Sequence, residues 1–111
     1  MDKYEGQEGA AGMKYDNGKF LAYLPYQDFA LAIKAVAEIG SYGAKKYKRS
    51  SWKDVPDKEI RYEDALHRHL LARAAGENLD SESGLKHLAH AAWGILAILE
   101  LELEKEKANA V

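Results

Sequence analysis

Cysteine is absent from the 111 residues, which excludes disulfide staples and thiolate zinc sites and leaves His, Asp and Glu as the available metal ligands. No apolar run approaches the roughly 18 residues that a membrane span needs. Met1–Gly6 also lacks an apolar signal-peptide core, so no membrane association is expected and the chain should stay in the cytoplasm. Charge of either sign is not in excess: 16 Lys and Arg stand against 18 Asp and Glu, a formal net charge of −2. Global attraction to a nucleic-acid backbone is therefore lacking, and no stable nucleic-acid complex is expected. Missing too are the Gly-x-x-x-x-Gly-Lys-Ser/Thr and Gly-x-Ser-x-Gly patterns, which removes a P-loop and a serine nucleophile elbow. A chain this short buries a modest fraction of its surface, so a deep cavity is hard to build from one copy.

What is present reads as an all-α chain of three main helices in a bundle, with a loop or extended amino-terminal segment, completed by oligomerisation. Residues 1–12 are rich in Gly, Glu and Ala without periodicity and read as a flexible lead; residues 13–107 form a single helical domain, and 108–111 a frayed tail. Asp16-Asn17-Gly18 is a turn signal before a short extended stretch, Phe20 to Leu24. Pro25 then suits a helix start, and Phe29, Ile33, Val36 and Ile39 follow at helical spacing, carrying the first helix at least to Gly40. Gly43 ends or interrupts it.

Pro56 and Asp57 open a second helix with an apolar stripe of Ile60, Leu66, Leu70 and Ala74, and Gly76 is its expected carboxyl cap. A polar loop leads to a third helix starting at Glu82 or Ser83. On it Leu85, Leu88, Ala92, Ile95, Leu96, Leu99 and Leu103 make a broad apolar face of core type. The opposite side carries His87, His90, Ala91, Gly94 and Ile98, two imidazoles beside residues small enough for close approach of a helix or ligand.

Chemistry concentrates in Gly76 to His90. Glu77, Asp80 and Glu82 with His87 and His90 could bind a divalent ion, carboxylates favouring magnesium or manganese and paired imidazoles favouring zinc or a transition metal. Ser83-Gly84 at a helix start offers free amides and a positive dipole end to an anion; equally, Ser83 could be a simple cap. On the second helix Asp64, His67, Arg68 and His69 form a polar series, in which Arg68 either clamps a phosphate or pairs with Asp64 one turn away. Lys45-Lys46-Tyr47-Lys48-Arg49, followed by Trp52-Lys53, mixes cations with rings, a composition suited to a phosphorylated ring compound, to single-stranded nucleic acid or to a solvated helix end.

Several ordered short motifs carry a resemblance: Lys14-Tyr15-Asp16 with Gly18-Lys19, Leu24-Pro25, Tyr42-Gly43-Ala44-Lys45-Lys46-Tyr47, Trp52, Tyr62 with Asp64-Ala65, Arg68-His69, Gly76-Glu77 through Asp80, Glu82-Ser83-Gly84, His87 and His90-Ala91. From about Met13 to Leu101 the chain resembles a phage family, the dATP/dGTP diphosphohydrolase amino-terminal domain, related in name to the MazZ enzymes. The resemblance implies hydrolysis of a purine deoxynucleoside triphosphate to its monophosphate and pyrophosphate, with Mg2+ or Mn2+, in the cytoplasm of an infected host cell. Glu77-x-x-Asp80 also matches half of the acidic pattern of the MazG-like all-α pyrophosphohydrolases.

On that reading Asp64, Glu77 and Asp80 are the metal ligands, and His87 and His90 move protons as catalytic residues. Lys14, Asp16, Lys19, Lys46, Trp52, Arg68, His69 and Ser83 bind the small-molecule nucleotide, and the working unit is a homo-oligomer, dimer or tetramer. The alternative is a non-catalytic protein that sequesters a nucleotide or cyclic-nucleotide second messenger. A helical assembly protein, with these clusters as caps and surface pairs, is the blandest option.

Overall fold

The computed structural model describes residues 18–110. It is all-α, with α1 at Leu24–Lys46, a 3-10 turn at Ser51–Asp54, α2 at Lys58–Ala74 and α3 at His87–Asn109. None of the helices described is long and apolar enough to cross a membrane. The chain divides within α1 into two units, Met1–Ala30 and Leu31–Val111. Beside the division Phe29 leaves the helical conformation, with φ −126° and ψ 31°.

In the first unit the expected extended stretch at Phe20 to Leu24 is instead a turn: the Leu24 amide bonds the Leu21 carbonyl at 3.1 Å and the helix starts there. Pro25 in the first helical turn sacrifices no intrahelical bond, because amides there have no partner one turn back. Tyr23 and Tyr26 stack at 6.5 Å between ring centroids. Lys14, Asp16 and the lead segment 1–12 lie outside the described residues.

In the second unit α1 passes through Gly43 and stops at Lys46, with Lys45 and Lys46 in its last turn where cations suit the helix dipole. Helix α2 ends as its sequence predicts. Gly76 takes φ +100°, the Gly76 amide reaches the Arg73 carbonyl and the Glu77 amide reaches the Ala72 carbonyl, both at 3.0 Å. These two bonds satisfy the last carbonyls and turn the chain out of the helix.

Helix α3, by contrast, starts at His87 rather than at Glu82 or Ser83. The Asp80 carboxylate captures the Ser83 amide at 2.8 Å, the Gly84 amide bonds the Asp80 carbonyl at 2.8 Å, and the Leu85 amide bonds Ser83 Oγ at 3.1 Å. Local side-chain bonds thus outcompete the helix over this stretch. A one-residue antiparallel bridge, Leu79 to Lys86, then closes the loop.

The main packing is α2 on α3, and α3 turns the opposite face inward from the one its leucines predict. His87, Ala89, Ala91, Gly94, Ala97 and Leu101 are buried, whereas Leu88, Ile95, Leu96, Leu99 and Leu103 are exposed. The cause lies at Gly94, where a Cβ would stand 3.3 Å from the Cβ of buried Leu66 on α2. Small side chains let the two helices approach closely, and that approach brings the histidines of α3 to those of α2.

Candidate metal and nucleotide site

Three short elements converge in the second unit: the carboxyl half of α2 supplies His69, the closed loop supplies Asp80, and the first turn of α3 supplies His87 and His90. One ligand atom from each of His69, Asp80 and His87 lies within 4.8 Å of the other two. His69 Nδ1 stands 2.9 Å from His87 Nδ1, and His87 Nε2 stands 3.0 Å from Glu77 Oε1. His87 is 4 % exposed, so its polar ring atoms depend on these partners. Because a carboxylate only accepts, Nε2 of His87 carries the proton toward Glu77, which leaves its Nδ1 as a lone pair directed at His69.

His90 completes the group. Its ring stacks on His69 at 4.4 Å with an interplanar angle of 6°, and its Nε2 lies 2.7 Å from Ser83 Oγ and 3.8 Å from Asp80 Oδ2. Burial holds both His69 and His90 below the ordinary imidazole pKa; for His69 the neighbouring His90 adds to the effect. Both are therefore neutral at pH 7, the form in which imidazole ligates a metal or accepts a proton. Burial pushes Asp80 up, yet hydrogen bonds from Ser83 and the nearby His90 and His69 outweigh it and hold the carboxyl below its ordinary value. The group of His69, His87 and Asp80 thus offers two imidazoles and one carboxylate, a donor set that fits a divalent ion.

An open cleft of about 1010 Å³ adjoins His90, at the upper end of the roughly 300–1,000 Å³ typical of ligand sites. Rings of Tyr42, Tyr47, Trp52 and Trp93 line it together with the cations Lys48, Arg49, Arg61 and Arg68. Trp52 meets Tyr62 and Trp93 edge to face at 5.9 and 6.3 Å, and the Tyr62 hydroxyl donates to the Trp52 carbonyl at 2.6 Å. At the loop edge Glu82 accepts from Tyr42 at 2.9 Å and pairs with Lys46. That pairing raises the Lys46 pKa and lowers that of Glu82.

Residues 9–110 match the family model described as dATP/dGTP diphosphohydrolase, N-terminal. The chain belongs to this family. It is also 37 % identical over 90 residues to a dATP/dGTP diphosphohydrolase of Salmonella phage PMBT28, covering 81 % of this chain and 29 % of that protein. The chain thus spans under a third of the length of that relative. No solved structure matches.

Within this dATP/dGTP diphosphohydrolase N-terminal domain the residues singled out from sequence take different places. Asp80 joins the possible ligand group, whereas Glu77 faces His87 from behind and Asp64 is exposed and outside the group. His69, expected to bind nucleotide, and His87, expected to move protons, are the other two members of the group. Among the described residues Asp64 and Arg68 form no ion pair; Glu63 pairs with His67 at 3.4 Å instead, and Arg68 faces the cleft. The anion site expected at a helix start does not form at Ser83, because the amides of Ser83, Gly84 and Leu85 are all bonded within the loop.

Lys46 is engaged with Glu82, and Lys19 is exposed in the first unit. Sequence reasoning missed Trp93 and the Tyr42–Glu82 contact. For Trp93 a signal existed: it follows His90 by three positions, and so shares its side of a helix.

Proposed function

We propose that this domain binds a purine deoxynucleoside triphosphate in the cleft of the second unit and, with a divalent cation, hydrolyses it to the monophosphate and pyrophosphate. One observation carries the reading: a single cleft unites stacking rings, four cations and His90, and His90 belongs to the same cluster as the candidate metal ligands. The family membership and the activity named for the Salmonella phage relative support the same substrate class.

In this scheme Arg61 and Arg68 meet the phosphates and the ring of Trp52 or Tyr47 stacks on the base. His69, Asp80 and His87 would hold the cation, which when bound would supply charge neutralisation and a water of lowered pKa. His90, kept neutral by burial, accepts a proton at Nε2, and Asp80 at 3.8 Å stabilises the imidazolium that results. The domain acts in the cytoplasm of an infected cell as a homo-oligomer, the exposed leucine face of α3 packing on a second copy.

Incubation of purified protein with dGTP or dATP and manganese or magnesium, followed by anion-exchange separation, tests the scheme: dGMP or dAMP and pyrophosphate are expected, and lost in Asp80→Ala. No product with any nucleotide, while Asp80→Ala binds nucleotide as the parent does, refutes hydrolysis. A second reading, capture of intact nucleotide, draws support from the single carboxylate in the ligand group, few for a cation-assisted phosphohydrolase. Recovery of unchanged dGTP from heat-denatured complex, with no metal requirement, would establish it.

A further inference from the structure

Divalent ions differ in the donor atoms they prefer, and the donors gathered here are mostly nitrogen. We propose that His69, Asp80 and His87 form a two-histidine, one-carboxylate site selective for a transition metal over magnesium, with Glu77 as the residue that positions His87. The proposal rests on the nucleotide-site reading for its purpose, but not for its test.

Magnesium takes oxygen donors and gives up its waters reluctantly, whereas imidazole suits the later first-row metals such as iron, nickel, copper and zinc, for which a nitrogen site has higher affinity than for manganese. Two of the three donors here are imidazoles, which places the site on the transition-metal side. Spacing points the same way. With metal–nitrogen bonds of about 2.1 Å, ligands at right angles stand about 3.0 Å apart and tetrahedral ones roughly 3.4 Å apart. His69 Nδ1 and His87 Nδ1 are 2.9 Å apart, close to the right-angle value of a six-coordinate ion. Without an ion that short separation is a hydrogen bond from the His69 Nδ1 proton to His87 Nδ1; on binding, the proton is carried on His69 Nε2 instead and the imidazole stays neutral.

Glu77 supports this arrangement from outside the ligand group. Its carboxylate takes the Nε2 proton of His87 at 3.0 Å and thereby fixes the tautomer whose free Nδ1 faces His69. Carboxylates in this position orient ligating histidines and raise their basicity, and removing one typically costs roughly 10–100-fold in metal affinity. Glu77 lies 10 residues before His87 and is held at the end of α2 by the Gly76 turn, so sequence proximity and fold geometry both deliver it. Its side chain is about half exposed while that of His87 is 5 % exposed, so Glu77 can be changed with little disturbance of the core.

The test titrates the metal-free full chain with cobalt(II), manganese(II) and magnesium(II), without nucleotide, by calorimetry and by visible absorption of the cobalt form. One cobalt per chain is expected, with ligand-field bands and no displacement by a hundredfold excess of magnesium. His69→Ala and Asp80→Asn should abolish binding, and Glu77→Gln should weaken it about 10–100-fold with the cobalt stoichiometry kept. Far-UV circular dichroism verifies that each variant is folded, and a variant that unfolds is replaced by His69→Gln or Asp80→Ser. Displacement of cobalt by equimolar magnesium overturns the selectivity. Parent-like cobalt binding in folded His69 or Asp80 variants overturns the site, and an unchanged affinity in Glu77→Gln overturns its positioning role. Failure of the nucleotide reading shows separately, as absence of a dGTP-dependent rise in Tm.

Discussion

Replacing Gly94 by Ala sets two effects of known sign against each other. Alanine in a helix interior is favoured over glycine by about 1 kcal/mol, and Gly43 offers the reference case, since a Cβ there meets nothing within 4 Å. Gly43→Ala should therefore raise Tm by roughly 4–8 °C for a domain of this size. At Gly94 the same gain is opposed by contact with Leu66, whose Cβ would lie at 3.3 Å and whose backbone Cα at 3.8 Å. A buried Cβ and a backbone atom cannot swing aside as a flexible side-chain end can, and overpacking of this kind costs about 1–3 kcal/mol. The net expectation is a loss of about 0–2 kcal/mol, and the helices part by a few tenths of an ångström. Thermal unfolding by circular dichroism compares the two variants directly. Cobalt titration adds a functional readout, because parting α2 from α3 separates His69 from His87. If Gly94→Ala stabilises as much as Gly43→Ala and binds cobalt unchanged, the close approach of α2 and α3 does not govern the site.

Three further outcomes follow from the same contacts. His69 and His90 have folded-state pKa values below the ordinary imidazole value of about 6.5, so the unfolded chain binds more protons in the window beneath it. Stability should be fully present above about pH 6.5 and fall as the pH drops through the folded-state values; urea titrations at pH 5 and pH 8 with equal midpoints would contradict this. Leu99→Lys on the exposed face of α3 should lower the molecular mass seen by light scattering and leave monomer stability within about 0.5 kcal/mol; a parent that is already monomeric at micromolar concentration removes the basis for it. Tyr62→Phe deletes the hydroxyl bonded to the Trp52 carbonyl and should cost about 0.5–1.5 kcal/mol in urea unfolding, with a shift in tryptophan fluorescence.

Local signals in the sequence were reliable where one chemical rule dominates. Gly76 terminated α2 because only a residue at ease with positive φ completes that carboxyl end, and Pro56 marked the approach to the same helix. The start of α3 was misplaced because Ser83 looks like an amino cap, yet a carboxylate three residues earlier takes its amide first. Apolar periodicity chose the wrong face of α3. Leucines outnumber alanines in hydrophobicity, but burial went to the face whose small residues permit contact with Leu66. For the candidate site, the stretch from Gly76 to His90 was legible as a concentration of polar groups. The part of His69 was not, because its neighbour His87 lies 18 residues away and their meeting depends on the separation of two helices.

All four of the central side chains, His69, Asp80, His87 and His90, lie in one uninterrupted stretch of helix, bridged loop and helix. Contacts between residues so near in sequence close early in folding, with little loop entropy to overcome. The cluster is thus local in the chain, and the segment between Leu79 and Lys86 is where its spacing is most exposed to change: one inserted residue there puts the bridged pair out of register and moves Asp80 relative to His87.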